Sequence, residues 1–225
     1  MKNNRLAISV LMLIASFCLC QCGDSDKVPQ RTVVAAADDM RFAYGFQNDD
    51  VLLIGDDRLR CCNWQALIPN VRVATIADDK TTIERELSEM EERFADKTPS
   101  KIFLMLGFNE LNEGEAVNAV YERFVEYDKA LRKKLPQTEI VILSQLPIGE
   151  VLKCGESKAT SQNLFAYNQF VKMYAVENGL NYIDMYDEMA TNGGILKSEY
   201  DATDGFHLFP NAYVVMSYRM KNLLQ

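Results

Sequence analysis

Histidine occurs once in this chain of 225 residues, at His207, so any chemistry that needs an imidazole rests on a single position. Cysteine is scarce too. Of the six, three fall within the first 22 residues, which leaves Cys61, Cys62 and Cys154. CxxC and the other usual metal-ligand spacings are absent, so the sequence predicts no zinc site and calls for no cofactor. No basic cluster interrupts a formal net charge of −8, which argues against a nucleic acid or an anionic lipid surface as partner. Internal repeats and low-complexity tracts are lacking as well.

What is present begins with an N-terminal leader. Lys2 and Arg5 precede the apolar stretch Leu6 to Leu19, which is too short to span a bilayer comfortably, and residues 1–22 read as a secretory signal. The stretch ends in Leu19, Cys20, Gln21, Cys22, followed by GDSD. This resembles a bacterial lipoprotein cleavage site with Cys22 as the lipid-bearing residue, although Gln21 is bulkier than the usual small residue. Residues 23–45 then form a polar tether and N-terminal extension, and 46–225 form one domain. Cleavage before Cys22 removes two basic residues and no acidic ones, leaving 22 Lys plus Arg against 32 Asp plus Glu, a net charge of −10. The expected location is the cell envelope, periplasm or outer membrane, with contact to a membrane only through the anchor. There, Cys61, Cys62 and Cys154 either stay thiols or form one bridge and one spare thiol, and a Cys154 bridge to the vicinal pair would need Cα atoms within about 7 Å.

After residue 50, short apolar runs alternate with helical periodicity. Val51 to Ile54, Val71 to Ile76, Ile102 to Leu106, Ile140 to Leu143 and Tyr182 to Met185 read as buried parallel strands. Between them Ile83, Leu87, Met90 and Phe94 mark one amphipathic helix. Val117, Val120, Phe124, Tyr127 and Leu131 mark a second, and Leu164, Tyr167, Val171 and Tyr174 a third. A last helix carries Tyr213, Met216, Met220 and Leu223 after Pro210. Strict alternation predicts an α/β fold: a three-layer α/β/α sandwich around a parallel sheet of about five strands. Sites in such sheets form beyond the carboxyl ends of the strands, which gathers Asp56 and Asp57, Ala77 to Asp79, Gly107 to Glu110 and Gln145 to Pro147 on one edge.

Four blocks in order, VLLIGDD, PNVRVATIADDKTT, IFLMLGFNEL and DATDGFHL, resemble those of the SGNH or GDSL-type esterases, a flavodoxin-like hydrolase family. SQLPIGE and YNQFVKMYAVENGLNYIDMYDEM extend the resemblance over most of the domain. The resemblance implies acyl-ester hydrolysis by a serine that a histidine activates and an aspartate orients, with three donors holding the oxyanion. It assigns the histidine to His207, the aspartate to Asp204 and the oxyanion asparagine to Asn109. Asp57 stands at the nucleophile position, which is also an oxyanion position. Asp78 stands where the second block has its oxyanion glycine, and Thr75 replaces another common glycine. Arg58, Leu59, Arg60, Cys61 and Cys62 replace small and polar residues, while Trp64 keeps its place.

A carboxylate near pKa 4 is already ionised, yet it is a poor nucleophile toward an ester because it leaves more readily than the alkoxide it must displace. The expectation is therefore a degenerate esterase that binds an acylated carbohydrate or other small ester. One alternative is an active acyl or acetyl esterase in which Asp57, or His207 with Asp204, activates water. A second is a divalent-metal site made from Asp57, Asp78, Asp204 and His207.

Overall fold

The computed structural model describes residues 45–150 and 157–224. The leader, Cys22, most of the tether and Cys154 lie outside these residues. Five strands, β1 (Val51–Asp56), β2 (Val73–Asp78), β3 (Lys101–Met105), β4 (Glu139–Leu143) and β5 (Asn181–Ile183), form one sheet in the order β2-β1-β3-β4-β5. Every pairing is parallel. The connections supply α1 (Asp57–Arg60), α2 (Trp64–Leu67), α3 (Ile83–Arg93), α4 (Phe108–Asn112), α5 (Val117–Lys134), α6 (Ser161–Glu177), α7 (Tyr186–Met189) and α8 (Pro210–Lys221).

The period-2 alternation of strand side chains divides the core into two layers. Leu52, Ile54, Ile102 and Leu104 pack with Met90 of α3, Phe124 of α5 and Tyr167 of α6. Val51, Leu53, Phe103 and Met105 pack on the opposite side with Trp64 of α2 and with Tyr213 and Met216 of α8. Both faces of β1 and β3 are thus covered, which is why their sequences are continuous apolar runs instead of alternating ones. The predicted three-layer α/β/α architecture is the observed one.

Strand boundaries shift by one or two residues from the sequence pattern, and two of the shifts have a visible cause. The second strand begins at Val73 because Val71 has left the ladder, its carbonyl accepting from the Gln65 side chain at 2.8 Å. The fifth ends at Ile183, although Met185 continues the apolar run. The N–H groups of Met185 and Tyr186 both donate to the Ser144 hydroxyl at 2.9 Å, and this satisfies the backbone in a turn into α7 instead of a ladder.

Glycine is required where the sheet meets the site. A Cβ on Gly55 would lie 2.7 Å from both the Met105 carbonyl and Leu59 Cδ1, so β1 approaches its neighbours too closely for a side chain. Gly107 combines φ +113° with a Cβ position 2.6 Å from the Tyr167 ring, and from this left-handed conformation it starts α4.

Candidate active site

The carboxyl ends of β1 to β4 open onto one edge, and α1 starts directly at the tip of β1. Asp56 caps it, accepting from Arg58 N–H at 2.9 Å. Asp57 is therefore the first helical residue, and its side chain reaches the last loop. Its Oδ2 lies 3.2 Å from His207 Nε2. The other ring nitrogen, Nδ1, donates to Asp204 Oδ2 at 2.5 Å. Asp204 is itself fixed by main-chain N–H groups of Phe206 and His207, which donate to Oδ1 at 2.9 and 2.8 Å. Asp57, 150 residues before His207, thus joins His207 and Asp204 in one continuous array, with the imidazole between two carboxylates.

Its electrostatics follow from those contacts. Burial by itself would raise the pKa of Asp57, but hydrogen bonds from His207 and Arg60, with their charges, push it down to about 2. Arg60 Nε donates to Oδ1, the oxygen facing away from the imidazole. Cys61 Sγ lies 3.7 Å from Oδ2. Asp204 is likewise held below the usual carboxylate range: burial opposes this, and the His207 contact and two main-chain donors prevail.

The histidine loop is built tightly. Gly149 N–H donates to the Gly205 carbonyl at 2.7 Å, and a Cβ on Gly149 would meet Gly205 Cα at 2.5 Å. Thr203 and Gly205 both take positive φ, 79° and 80°. Asp201 Oδ1 accepts from both of their N–H groups, at 2.8 and 2.9 Å, which holds that turn. Ala202 N–H bonds the His207 carbonyl at 2.9 Å and closes the loop across its base.

The remaining assigned positions sit on the same edge but point elsewhere. Asp78, at the end of β2, pairs with Arg85 at 3.1 Å, accepts from Lys80 N–H at 2.8 Å and is 41% exposed. Burial would raise its pKa, but Arg85 and the Lys80 N–H hold it down. The Asp78 main-chain N–H, the group an oxyanion role would use, donates to Thr81 Oγ1 at 2.9 Å. The Asn109 amide donates to the Thr81 carbonyl at 2.8 Å, which commits one of its two hydrogens and leaves the second for a ligand. Asp57, His207 and Asp204 are therefore brought together, while Asp78 and Asn109 converge on Thr81 beside them.

Two features carry roles that sequence reasoning did not assign. Arg58 is fully buried: its guanidinium pairs with Asp56 at 2.7 Å and donates to Gln145 Oε1 at 3.0 Å and to the Leu146 carbonyl at 3.2 Å. It lies against the rings of both Phe108 and Phe206, 4.5 and 4.8 Å from their centroids. One cation thus ties the tips of β1 and β4, α4 and the histidine loop. Glu110 Oε1 accepts from Ile83 N–H at 2.6 Å and satisfies the N-terminus of α3 from across the edge. The signals in the sequence were the alternation of acid and base in DDRLR and the acid following Asn109.

A cavity of about 750 Å³ runs from this edge along the outer strand β2 and is lined by Arg60, Trp64, Ile76, Asp78 and Arg85 among others. It adjoins the array through Arg60 and does not lie over His207. Lys97, Glu89 and Asp96 extend its charged lining.

A parallel 2-1-3-4-5 sheet with an imidazole held by a carboxylate at its carboxyl edge defines an SGNH-type α/β hydrolase fold. The chain belongs to the GDSL-like lipase/acylhydrolase family, whose model matches residues 56–214. It is similar to a structure provisionally named a platelet activating factor from Streptococcus pneumonia, with TM-score 0.72 and 20% identity over 98% of this chain and 99% of that one. A GDSL-like lipase from Bacteroides thetaiotaomicron matches with TM-score 0.70 and 16% identity, over 84% of this chain and 96% of that one. At such identities these likenesses speak for the fold. No curated protein matches the chain significantly.

Proposed function

We propose that this protein is a cell-envelope member of the family that has lost the serine mechanism and binds an acylated carbohydrate or another small ester. Asp57 takes the place of the attacking serine, and Cys22 carries the lipid that anchors the chain. The observation that carries this reading is the contact of Asp57 Oδ2 with His207 Nε2 at 3.2 Å, the direction in which the family's serine meets its base.

An ionised carboxylate held there has no proton for His207 to remove. Attack by Asp57 would create a tetrahedral adduct whose better leaving group is the Asp57 carboxylate, so it would collapse back to the ester instead of expelling the alkoxide to give an anhydride. Loss of a triad serine costs on the order of 10⁶ in turnover. One assigned oxyanion donor survives on this edge, because one hydrogen of the Asn109 amide is uncommitted. The adjoining cavity sets Arg60, Arg85, Lys97, Glu89 and Asp96 beside Phe46, Trp64 and Ile76, a mixed lining that can bond the hydroxyls of a sugar and cover its apolar face.

Calorimetric titration with acetylated oligosaccharides, beside an aryl acetate assay, tests the reading. Saturable binding without turnover is expected. Turnover by the wild type that disappears in His207→Ala would instead favour water attack promoted by Asp57 or His207.

A further inference from the structure

We infer that Asp57, Cys61 and His207 form a binding site for a zinc-like divalent ion. The three side chains offer a carboxylate oxygen, a sulfur and an imidazole nitrogen, all within 4.8 Å of one another. Asp57 opens α1 and Cys61 caps its end, so the helical turn places both on one face, while His207 arrives from the last loop. The ligand set thus spans 150 residues of sequence and has no local motif to announce it.

The spacings fit a tetrahedral ion. With metal distances of about 2.0–2.1 Å to nitrogen and oxygen and about 2.3 Å to sulfur, tetrahedral edges are about 3.3 Å between nitrogen and oxygen and about 3.5 Å between oxygen and sulfur. The observed edges are 3.2 Å for His207 Nε2 to Asp57 Oδ2 and 3.7 Å for Cys61 Sγ to the same oxygen. The remaining edge, sulfur to nitrogen, is within 4.8 Å.

The outer contacts are those that metal ligands require. Asp204 accepts from His207 Nδ1 and so turns Nε2 toward the ion, an arrangement common behind zinc-binding histidines. Arg60 holds Asp57 Oδ1 and leaves Oδ2 to coordinate. A carboxylate and a thiolate neutralise a dication, and imidazole with thiolate selects zinc or cobalt over magnesium or calcium. The His207 and Asp57 side chains retain 9% and 10% exposure, so a fourth position can reach solvent or a ligand oxygen. The site differs from the set Asp57, Asp78, Asp204 and His207, because Asp78 is turned onto Arg85 and Asp204 serves the far ring nitrogen.

The proposal is independent of whether the protein hydrolyses esters. The test is titration of the purified protein, reduced with a non-chelating phosphine, with Zn²⁺ by calorimetry and with Co²⁺ by absorption. One equivalent of each is expected to bind, and the cobalt form should show tetrahedral visible bands with a thiolate charge-transfer band in the near ultraviolet. Cys61→Ser should abolish that band and weaken Zn²⁺ binding at least tenfold, and Asp57→Asn should weaken it similarly. The neighbouring Cys62→Ser should leave both readouts unchanged. Absence of stoichiometric binding to the wild type, or a cobalt spectrum that survives Cys61→Ser, would overturn the assignment.

Discussion

Arg60 holds the one oxygen of Asp57 that does not face His207. Residue 60 follows residue 57 by three positions, so a single helical turn brings a cation onto the carboxylate that the imidazole also approaches. The acidic side chain at the tip of β1 is consequently clamped from two sides.

The clamp bears on restored activity. Asp57→Ser is expected to gain at least 100-fold in kcat/KM toward a short-chain aryl acetate, because Asp204, His207 and Asn109 remain in position. The gain should vanish in the Asp57→Ser, His207→Ala double variant. A serine variant as inert as the wild type would show that the oxyanion side, where the Asp78 N–H is given to Thr81, is also incomplete.

Arg58 is the electrostatic keystone of the edge. Arg58→Met removes a buried cation and strands the Asp56 carboxylate, so urea denaturation should show a loss of about 3–5 kcal/mol. Asp56→Asn combined with Arg58→Met should recover part of that loss. Arg58→Lys should not match the wild type, since an ammonium cannot bond Asp56, Gln145 and Leu146 with the same planar fork.

Glu86 gives the stability a pH dependence. Its side chain is buried on α3, and burial pushes its pKa up to about 7 against the pull of Arg93 and Arg85. A carboxyl group with a raised folded pKa binds its proton more tightly in the folded state. The stability it favours is therefore full below about 4.5, declines as pH rises toward 7 and levels off above that. Relative to Glu86→Gln, the wild type should lose on the order of 2–3 kcal/mol between pH 4.5 and 8 in urea titrations. A difference that stays constant across this range would refute the assignment.

Gly107→Ala should destabilise the fold by about 2–4 kcal/mol, combining a left-handed backbone with a clash against the Tyr167 ring. Gly107→Ala on a Tyr167→Leu background should lose less, because the collision is relieved while the backbone strain persists.

The sheet and its longer covering helices were legible in the sequence because they kept their periods, β1 and β3 as continuous apolar runs and α3, α5 and α6 as stripes, whereas the short α1, α2, α4 and α7 are too brief to show one. The end of β5 was not legible, because a hydroxyl on Ser144 competes for the backbone, and strand periodicity carries no trace of that. Asp204, His207 and Asp57 were readable through the resemblance of DATDGFHL and VLLIGDD to the family's blocks. The engagement of Asp78 with Arg85, and of Asn109 with Thr81, depends on side-chain direction at the edge, which residue identity does not specify. Arg58 and Cys61 were visible only as departures from the family's pattern. Their roles required knowing that α1 begins at Asp57 and turns them to different sides, one into the interior and one toward His207.

The Gly149–Gly205 clasp has a consequence for how such a site can diverge. The Gly149–Gly205 bond joins the loop bearing the imidazole and its aspartate to the exit of β4 through main-chain atoms, and this link does not use the side chain that follows β1. Half of the apparatus can therefore keep its pose while the facing position is exchanged for a different chemistry, and a scaffold partitioned in this way can outlive the reaction it once served.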